Sequence, residues 1–263
     1  MAPQRDYRQR WFHDNEIDTE ELVWLVPGSV WAGDFSDSPV PIDDGFEHVL
    51  AVRDLACQKR LLDLPGTVAN AAAAVTALES LFLRYGLPLV CKSDNGSPFI
   101  ADLFEQLLGR WSVLALFSPP QTPRYNGAVE AGFGSFKTRV YYEAARHGRI
   151  GYWTSDDLEA AHGLSNCAAR PWGAAGPTPQ EAWQRRAPIT SHQRTRFLEC
   201  VAQTTAAVRV ELGYPPNEEL KTPARATVAR AAIRRALEAL GYLVVRRRRV
   251  SPPFSSSLRA IIT

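Results

Sequence analysis

Short apolar runs of strand length alternate along most of the chain with longer stretches of helical period. The first run begins near Val30 and carries Trp31, Asp34 and Phe35. After a turn-rich stretch, Ser36–Gly45, further strands are expected at His48–Asp54 and Lys59–Leu64, separated by a short turn as in a meander. Pro65-Gly66 punctuates the chain, and Thr67 is placed to cap a long helix that ends at Tyr85 before Gly86. Its alanine-rich interior, Ala71–Ala74, favours helix and permits close packing on a sheet. Leu89–Lys92 reads as a buried strand, and Ser93-Asp94-Asn95-Gly96 as the turn that ends it. A helix over Ser97–Gly109 and a strand over Val113–Phe117 follow. Three prolines keep Ser118–Tyr125 in a loop. A third helix spans Asn126–Ala145, and a fourth, capped by Ser155 with Asp156 and Asp157 in its first turn, runs to Ala169. The sum is an α/β fold, a mixed five-stranded sheet flanked by helices.

Both flanks differ from this core. Residues 1–28 are charged, with an apolar patch at Leu22–Val26, and read as an extension containing one helix. The core, residues 29–187, closes through the linker Pro171–Pro179 and a short helix at Gln180–Arg186. Residues 188–263 read as a small basic module: helices over Gln193–Val210 and Thr222–Leu240, then a strand at Tyr242–Val245 leading into Arg246–Arg249 on a hairpin or wing. Charge sharpens the contrast. The net charge is +2, yet from Arg185 onward 15 Lys and Arg face 5 Asp and Glu, leaving the remainder at −8. A basic tail on an acidic body points to a polyanion such as DNA.

Other features narrow the class. No apolar run is long enough to span a membrane, and the polar N-terminus lacks the apolar segment of a secretory signal. The four cysteines, Cys57, Cys91, Cys167 and Cys200, form no CxxC pair, which argues against a zinc knuckle or a disulfide framework and for a reducing cytosol.

Three carboxylates occupy places where a backbone element enters or leaves the expected sheet edge. Asp34 lies four residues into a strand, Asp94 at the end of a buried one, and Glu130 early in a helix, 35 residues lying between the last two. Three convergent carboxylates without histidine or thiolate suit a hard cation, Mg²⁺ or Mn²⁺. Phosphoryl chemistry in such sites uses two ions about 4 Å apart.

The segments around these acids carry a resemblance. Trp31-Ala32-Gly33-Asp34, Ser93-Asp94-Asn95-Gly96-Ser97-Pro98-Phe99 and Ser118–Glu130, with Tyr125-Asn126-Gly127 inside it, resemble the three signature segments of the integrase catalytic core of retroviral integrases and bacterial insertion-sequence transposases. Thr178-Pro179-Gln180-Glu181-Ala182-Trp183 resembles the segment that closes that core in bacterial transposases. The resemblance implies a ribonuclease-H-like fold with Asp34, Asp94 and Glu130 as catalytic, metal-binding residues holding two Mg²⁺ or Mn²⁺ ions in the active complex. It implies a DNA transposase or integrase that cleaves phosphodiesters and transfers strands at the ends of a mobile element. Asp54 falls where the family has a second-strand aspartate and reads either as structural or as a support to the metal-binding residues.

The same resemblance assigns DNA contacts. Lys137, two helical turns after Glu130 and on its face, corresponds to a lysine near the scissile phosphate; Gln121 and Tyr125, read from their own place in the loop before the helix, are candidates either to stack on or hydrogen-bond to a DNA end or to serve the loop alone. Arg246, Arg247, Arg248 and Arg249 are the expected backbone contacts of the tail. Two departures stand out in the third helix: Ala131-Gly132 replaces a polar pair, and Gly134 replaces a basic or polar residue. Each glycine costs a helix about 1 kcal/mol relative to alanine. The zinc-binding N-terminal domain of retroviral integrases has no counterpart before Cys57, nor does the helix-turn-helix region of bacterial relatives. Either recognition comes from the basic tail or from a separate helix-turn-helix subunit, or the reading frame is truncated. A homo-oligomer on DNA in the bacterial cytoplasm, at the nucleoid, is the expected setting. The rival readings are a non-catalytic DNA-binding or assembly subunit derived from a transposase, and a nuclease of the same fold without strand transfer.

Overall fold

The computed structural model describes residues 17–118, 127–215 and 219–250, with the side chains of 17–19, 127–131 and 248–250 outside that description. Two compact units emerge: Trp24–Tyr242, and a smaller one that joins Met1–Val23 with Leu243–Thr263. The larger unit carries a five-stranded sheet built from β2 (Val30–Ile42), β3 (Phe46–Asp54), β4 (Arg60–Gly66), β5 (Val90–Ser93) and β6 (Leu114–Phe117). Their order is β4-β3-β2-β5-β6. The first three are antiparallel neighbours, whereas β5 and β6 run parallel to β2. This is the mixed five-stranded α/β sheet the sequence predicts.

Helices cover both faces, and strand composition explains why. Six consecutive residues of β3, Val49–Asp54, are buried, as expected for a strand covered on both sides. On one face, Trp31, Leu50 and Val52 pack with α1 (Ala71–Tyr85) and α2 (Asp102–Arg110) through Leu78, Leu81, Phe82, Phe104 and Leu107. On the other, Ile42 and Val49 join Phe136, Val140 and Ala144 of α3 (Gly127–Arg146) and Leu158 and Ala161 of α4 (Ser155–Cys167).

The closing segment forms α5 (Pro179–Gln184). Thr178 caps it in a reciprocal capping box with Glu181, and Pro179 sits in the first turn. Trp183 then packs on Trp31, ring centroids 6.4 Å apart, which anchors the end of this segment against the first strand of the sheet.

Several local expectations give way to longer-range pairing. β2 does not stop at Ser36 but continues to Ile42. Its pairing with β3 skips from Asp37 to Ile42, and Pro39 and Pro41 fall within the gap, where no ladder N–H is required. Trp153 supports the strand's end instead, its N–H donating to Pro41 O while Asp43 N–H donates to Trp153 O. α1 is capped by Asn70, whose Oδ1 accepts from Ala73 N at 2.8 Å, rather than by Thr67. The cap of α4 is Thr154, in a capping box with Asp157, not Ser155.

The ends differ most from expectation. Within residues 1–28, read as an extension containing one helix, Ile17–Trp24 form strand β1, which pairs with β7 (Leu243–Val250) in a two-stranded sheet. The four arginines therefore stand within β7 and not on a hairpin beyond it. Helices α6 (Ser191–Glu211) and α7 (Thr222–Ala239) fall in the larger unit. There Arg194 donates to Leu87 O and Pro88 O, both at 2.8 Å, and Arg230 to Phe117 O at 3.4 Å.

Candidate active site

β2 and β5 pair in parallel with a constant offset, Val30 with Val90, Trp31 with Cys91 and Ala32 with Lys92. The pairing ends at Ala32 and Lys92; Asp34 lies two residues further along β2 and Asp94 two residues further along the other chain segment, one past the end of β5. Side-chain alternation then fixes the face. Trp31 and Cys91 point into the α1–α2 core, so Ala32, Asp34, Lys92 and Asp94 belong to the opposite face, the one α3 covers. Two of the three expected acids thus lie just past the last pair of these two strands, Asp34 within β2 and Asp94 after β5.

The turn after Asp94 is held from several directions. Gly96 N–H donates to Asp94 Oδ1 at 2.9 Å, and Asn95 Nδ2 reaches across to Ser118 O at 2.8 Å. Phe99 is buried against Phe35 and Phe104, with ring centroids 5.7 and 5.4 Å away. A Cβ at position 96 would sit 2.9 Å from Asp94 Oδ1 and 3.3 Å from Oδ2, so only glycine lets the chain approach the carboxylate this closely. The motif Asp-Asn-Gly-Ser-Pro-Phe is thus a carboxylate, a clamp on the next strand, a close approach and an apolar anchor.

Asp54 serves another purpose. It pairs in register with Trp31, three residues from Asp34, and so lies on the opposite face of the sheet from that carboxylate. Fully buried, it accepts from Gly28 N at 2.7 Å, Cys57 N at 2.8 Å and Ala56 N at 3.1 Å. Burial pushes its carboxyl pKa up, against the pull of these bonds. It is structural, one of the two readings the sequence allowed.

The remaining expected residues divide. Glu130 lies in the first turn of α3 by its backbone, its side chain being outside the described residues. Gln121 and Tyr125 fall wholly outside them. Lys137 Nζ donates to the carbonyl of Asp37 at 2.7 Å, three residues along β2 from Asp34. Arg246 and Arg247 are exposed in β7, in the smaller unit, and the side chains of Arg248 and Arg249 lie outside the described residues. All four cysteines are free thiols.

Two basic residues escaped the sequence reading. Lys92 is buried and shares the α3-facing face with Asp94, two positions away; the alternation of Val90, Lys92 and Asp94 was the available signal. Arg53 explains Gly132. A Cβ there would lie 1.7 Å from Arg53 Nη1, so any larger residue would drive the guanidinium out of its buried position. The helix accepts a poor helix former to make that room.

The donor chemistry fits a hard divalent ion: the two aspartates supply only oxygen, and no histidine or thiolate stands with them in the motif. Among the described residues, no group of three or more acids, histidines or cysteines is close enough to hold a metal. The third expected donor, Glu130, belongs to the side chains outside that search.

Compared by sequence, the chain matches no family profile and no curated protein. Its structure does have counterparts. A chain of the simian T-cell lymphotropic virus intasome, solved with the PP2A regulatory subunit B56 gamma, superposes with a TM-score of 0.55 at 16% identity, over 67% of this chain and 64% of that one. The HTLV-2 integrase catalytic core, solved in complex with magnesium, superposes in its dimeric form with a TM-score of 0.50 at 14% identity, over 61% of this chain and 98% of that one. The trimeric form gives 0.50 at 16% identity. The fold is that of an integrase catalytic core. The integrase-core fold spans about three-fifths of the chain and nearly all of the HTLV-2 domain, whereas only 64% of the longer intasome chain has a counterpart here.

Proposed function

We propose that this chain is a metal-dependent polynucleotidyl transferase that cleaves and joins DNA, a transposase or integrase, with Asp34, Asp94 and Glu130 as its metal-binding carboxylates. The observation that carries the reading is the parallel pairing of β2 with β5 in an integrase-core fold, with Asp34 and Asp94 each two residues past its last pair, Ala32 and Lys92. Helix geometry supports the third member. Lys137 contacts Asp37 on β2, and seven residues back along a helix is about 10.5 Å, close to the ~10 Å that separates Asp37 from Asp34 along a strand. Since α3 packs its later residues Val140 and Ala144 with Ile42, it runs in the sense of β2, which brings the turn of Glu130 level with Asp34.

Two divalent ions, when bound, supply a nucleophilic oxygen at neutral pH and stabilise the leaving one. The protein's own share is positional. Asp34 and Asp94 offer their carboxylates just past the last pair of β2 and β5, Gly96 and Asn95 lock the turn that presents Asp94, and Lys137 stands ready to take a phosphate in place of the Asp37 carbonyl. The test is incubation of the purified chain with duplex DNA bearing the element's own ends, with Mg²⁺ or with EDTA. Mg²⁺-dependent joining to a second duplex is the expected result. Cleavage without joining identifies a nuclease, and neither activity overturns the assignment.

Lys137→Ala is expected to weaken binding of the DNA end by roughly three- to tenfold, the loss of one charge-assisted hydrogen bond, with Mg²⁺ affinity unchanged. Fluorescence anisotropy on a labelled end reads the effect, and equal affinities return Lys137 to a role in holding β2.

The tail is proposed as a further DNA contact, of smaller weight than its arginine count implies. β1 carries Asp18, Glu20 and Glu21 into the sheet it forms with the four arginines of β7, leaving a net charge of only +1 across the two strands. Replacing the exposed Arg246 and Arg247 with Ala should flatten the slope of log affinity against log salt by about 1 to 2 units, alike for any sequence. A slope that does not move assigns these arginines to the acids of β1.

A homo-oligomer assembled on DNA and a separate helix-turn-helix subunit complete the proposal. No described helix is long and apolar enough to cross a membrane.

A further inference from the structure

A cavity of about 220 Å³ opens between β4, α3 and the end of α4, on the β3–β4 side of the larger unit. Arg53, Arg60, Arg139 and Arg170 line it together with Ser135 and Ser165, and among the described residues no carboxylate does. Asp34 and Asp94 are not among its walls.

The four guanidiniums are held differently. Arg60 is committed: its Nε donates to Asp63 Oδ2 at 2.7 Å, its Nη1 to Gly132 O at 3.2 Å, and its plane lies 4.0 Å from the Phe136 ring centroid. Asp63 in turn is shared with His162 Nδ1 at 2.8 Å. Arg170 donates to Gly176 O at 2.6 Å and to Glu181, at the rim. Arg53 donates to Gln58 from a buried position. Among the described residues, Arg139 has only neutral partners, Ser135 Oγ at 3.1 Å and Ser165 Oγ at 3.3 Å.

Electrostatics shows the consequence. Burial lowers the Arg53 pKa to about 10, with Arg60 adding to the effect, and burial and Arg60 likewise lower that of Arg139. Both remain cationic at neutral pH, so like charges crowd a partly dry space, an arrangement that costs stability until an anion enters. Guanidiniums present paired N–H donors that match the oxygens of phosphate, and serine hydroxyls add further donors. A water's share of the liquid is about 30 Å³, so the cavity has room for one tetrahedral oxyanion with water beside it.

We propose that this cavity is a phosphate-binding site, distinct from Asp34 and Asp94, with Arg139 as its principal uncommitted donor. The occupant is a phosphate group, whether free inorganic phosphate or one phosphate of a DNA backbone.

Thermal unfolding of the full chain in sodium phosphate, against sodium chloride at equal ionic strength, tests it. At a hundred times Kd, phosphate should raise Tm by roughly 5–10 °C in the parent. In Arg139→Gln the phosphate increment should disappear, while Tm without phosphate stays equal to or above the parent's because a desolvated like charge has gone. A structural role for Arg139 would instead lower that baseline. Arg170→Gln, at the exposed rim, should reduce the increment partially and serves as the second variant. An increment that chloride reproduces, or that survives in Arg139→Gln, overturns the site. A labelled duplex separates the sources. Displacement by phosphate in the parent but not in Arg139→Gln identifies a backbone phosphate, and undisturbed duplex binding alongside the Tm increment identifies a free oxyanion.

Discussion

Asp34→Asn and Asp94→Asn should each reduce Mg²⁺-dependent DNA cleavage by at least about a thousandfold, equivalent to roughly 4 kcal/mol of transition-state stabilisation. Each substitution keeps the shape of the side chain and removes one negative charge from the proposed metal-binding set. The fold should survive, because both carboxylates are only half-buried, whereas Asp54 is wholly buried. In EDTA the variants should melt at or above the parent's temperature, since two neighbouring carboxylates repel one another in the absence of a cation. In Mg²⁺ the parent should gain stability that the variants do not. Cleavage assays and melting curves with and without Mg²⁺ decide the matter together. Full activity in both variants would remove Asp34 and Asp94 from the chemistry, and a collapse of Tm in EDTA would make them structural.

Much of the larger unit was legible because its signals are local. The buried strand Val90–Ser93 and the turn after it announce themselves by an apolar run followed by Asp-Asn-Gly, and the sheet's mixed character follows from strands that first adjoin and then alternate with helices. The closing segment was readable for a similar reason, since Thr178, Pro179 and Glu181 occupy the positions a capping box requires.

What was not legible depends on partners far away in sequence. β1 has a polar, mixed pattern and becomes a strand because β7, more than two hundred residues later, pairs with it. β2 passes through Pro39 and Pro41 because Trp153 supplies the hydrogen bonds at its end. Gly132 reads as a flaw in a helix until Arg53, from β3, is seen to occupy the space a Cβ would need. The arginine cavity belongs to the same class. Its four cations come from β3, β4, α3 and the loop after α4, and no window of sequence contains them together. Pairs such as Asp34 and Asp94 lie between these extremes: each acid is visible alone, whereas their common place past the last pair of β2 and β5 is a statement about register.

Asp54→Ala should be the most damaging single change to stability among those argued here, at roughly 3–6 kcal/mol. The carboxylate is fully buried and gathers the N–H groups of Gly28, Ala56 and Cys57, so it joins the approach to β2 with the turn that follows β3. Alanine leaves three donors without that acceptor in a space closed to water, and each unsatisfied donor costs about 1–3 kcal/mol. For a chain of this size, a loss of that order lowers Tm by roughly 10 °C or more. Asp54→Asn should fall between parent and alanine. Its single amide oxygen can still accept from Ala56 and Cys57, whereas its NH₂ would face the Gly28 N–H donor to donor. Denaturant unfolding of the three proteins gives the comparison, with the m-value unchanged if only stability has moved. A loss below about 1 kcal/mol for Asp54→Ala would show that the three N–H groups find other acceptors, and that the carboxylate does not hold this corner of the sheet.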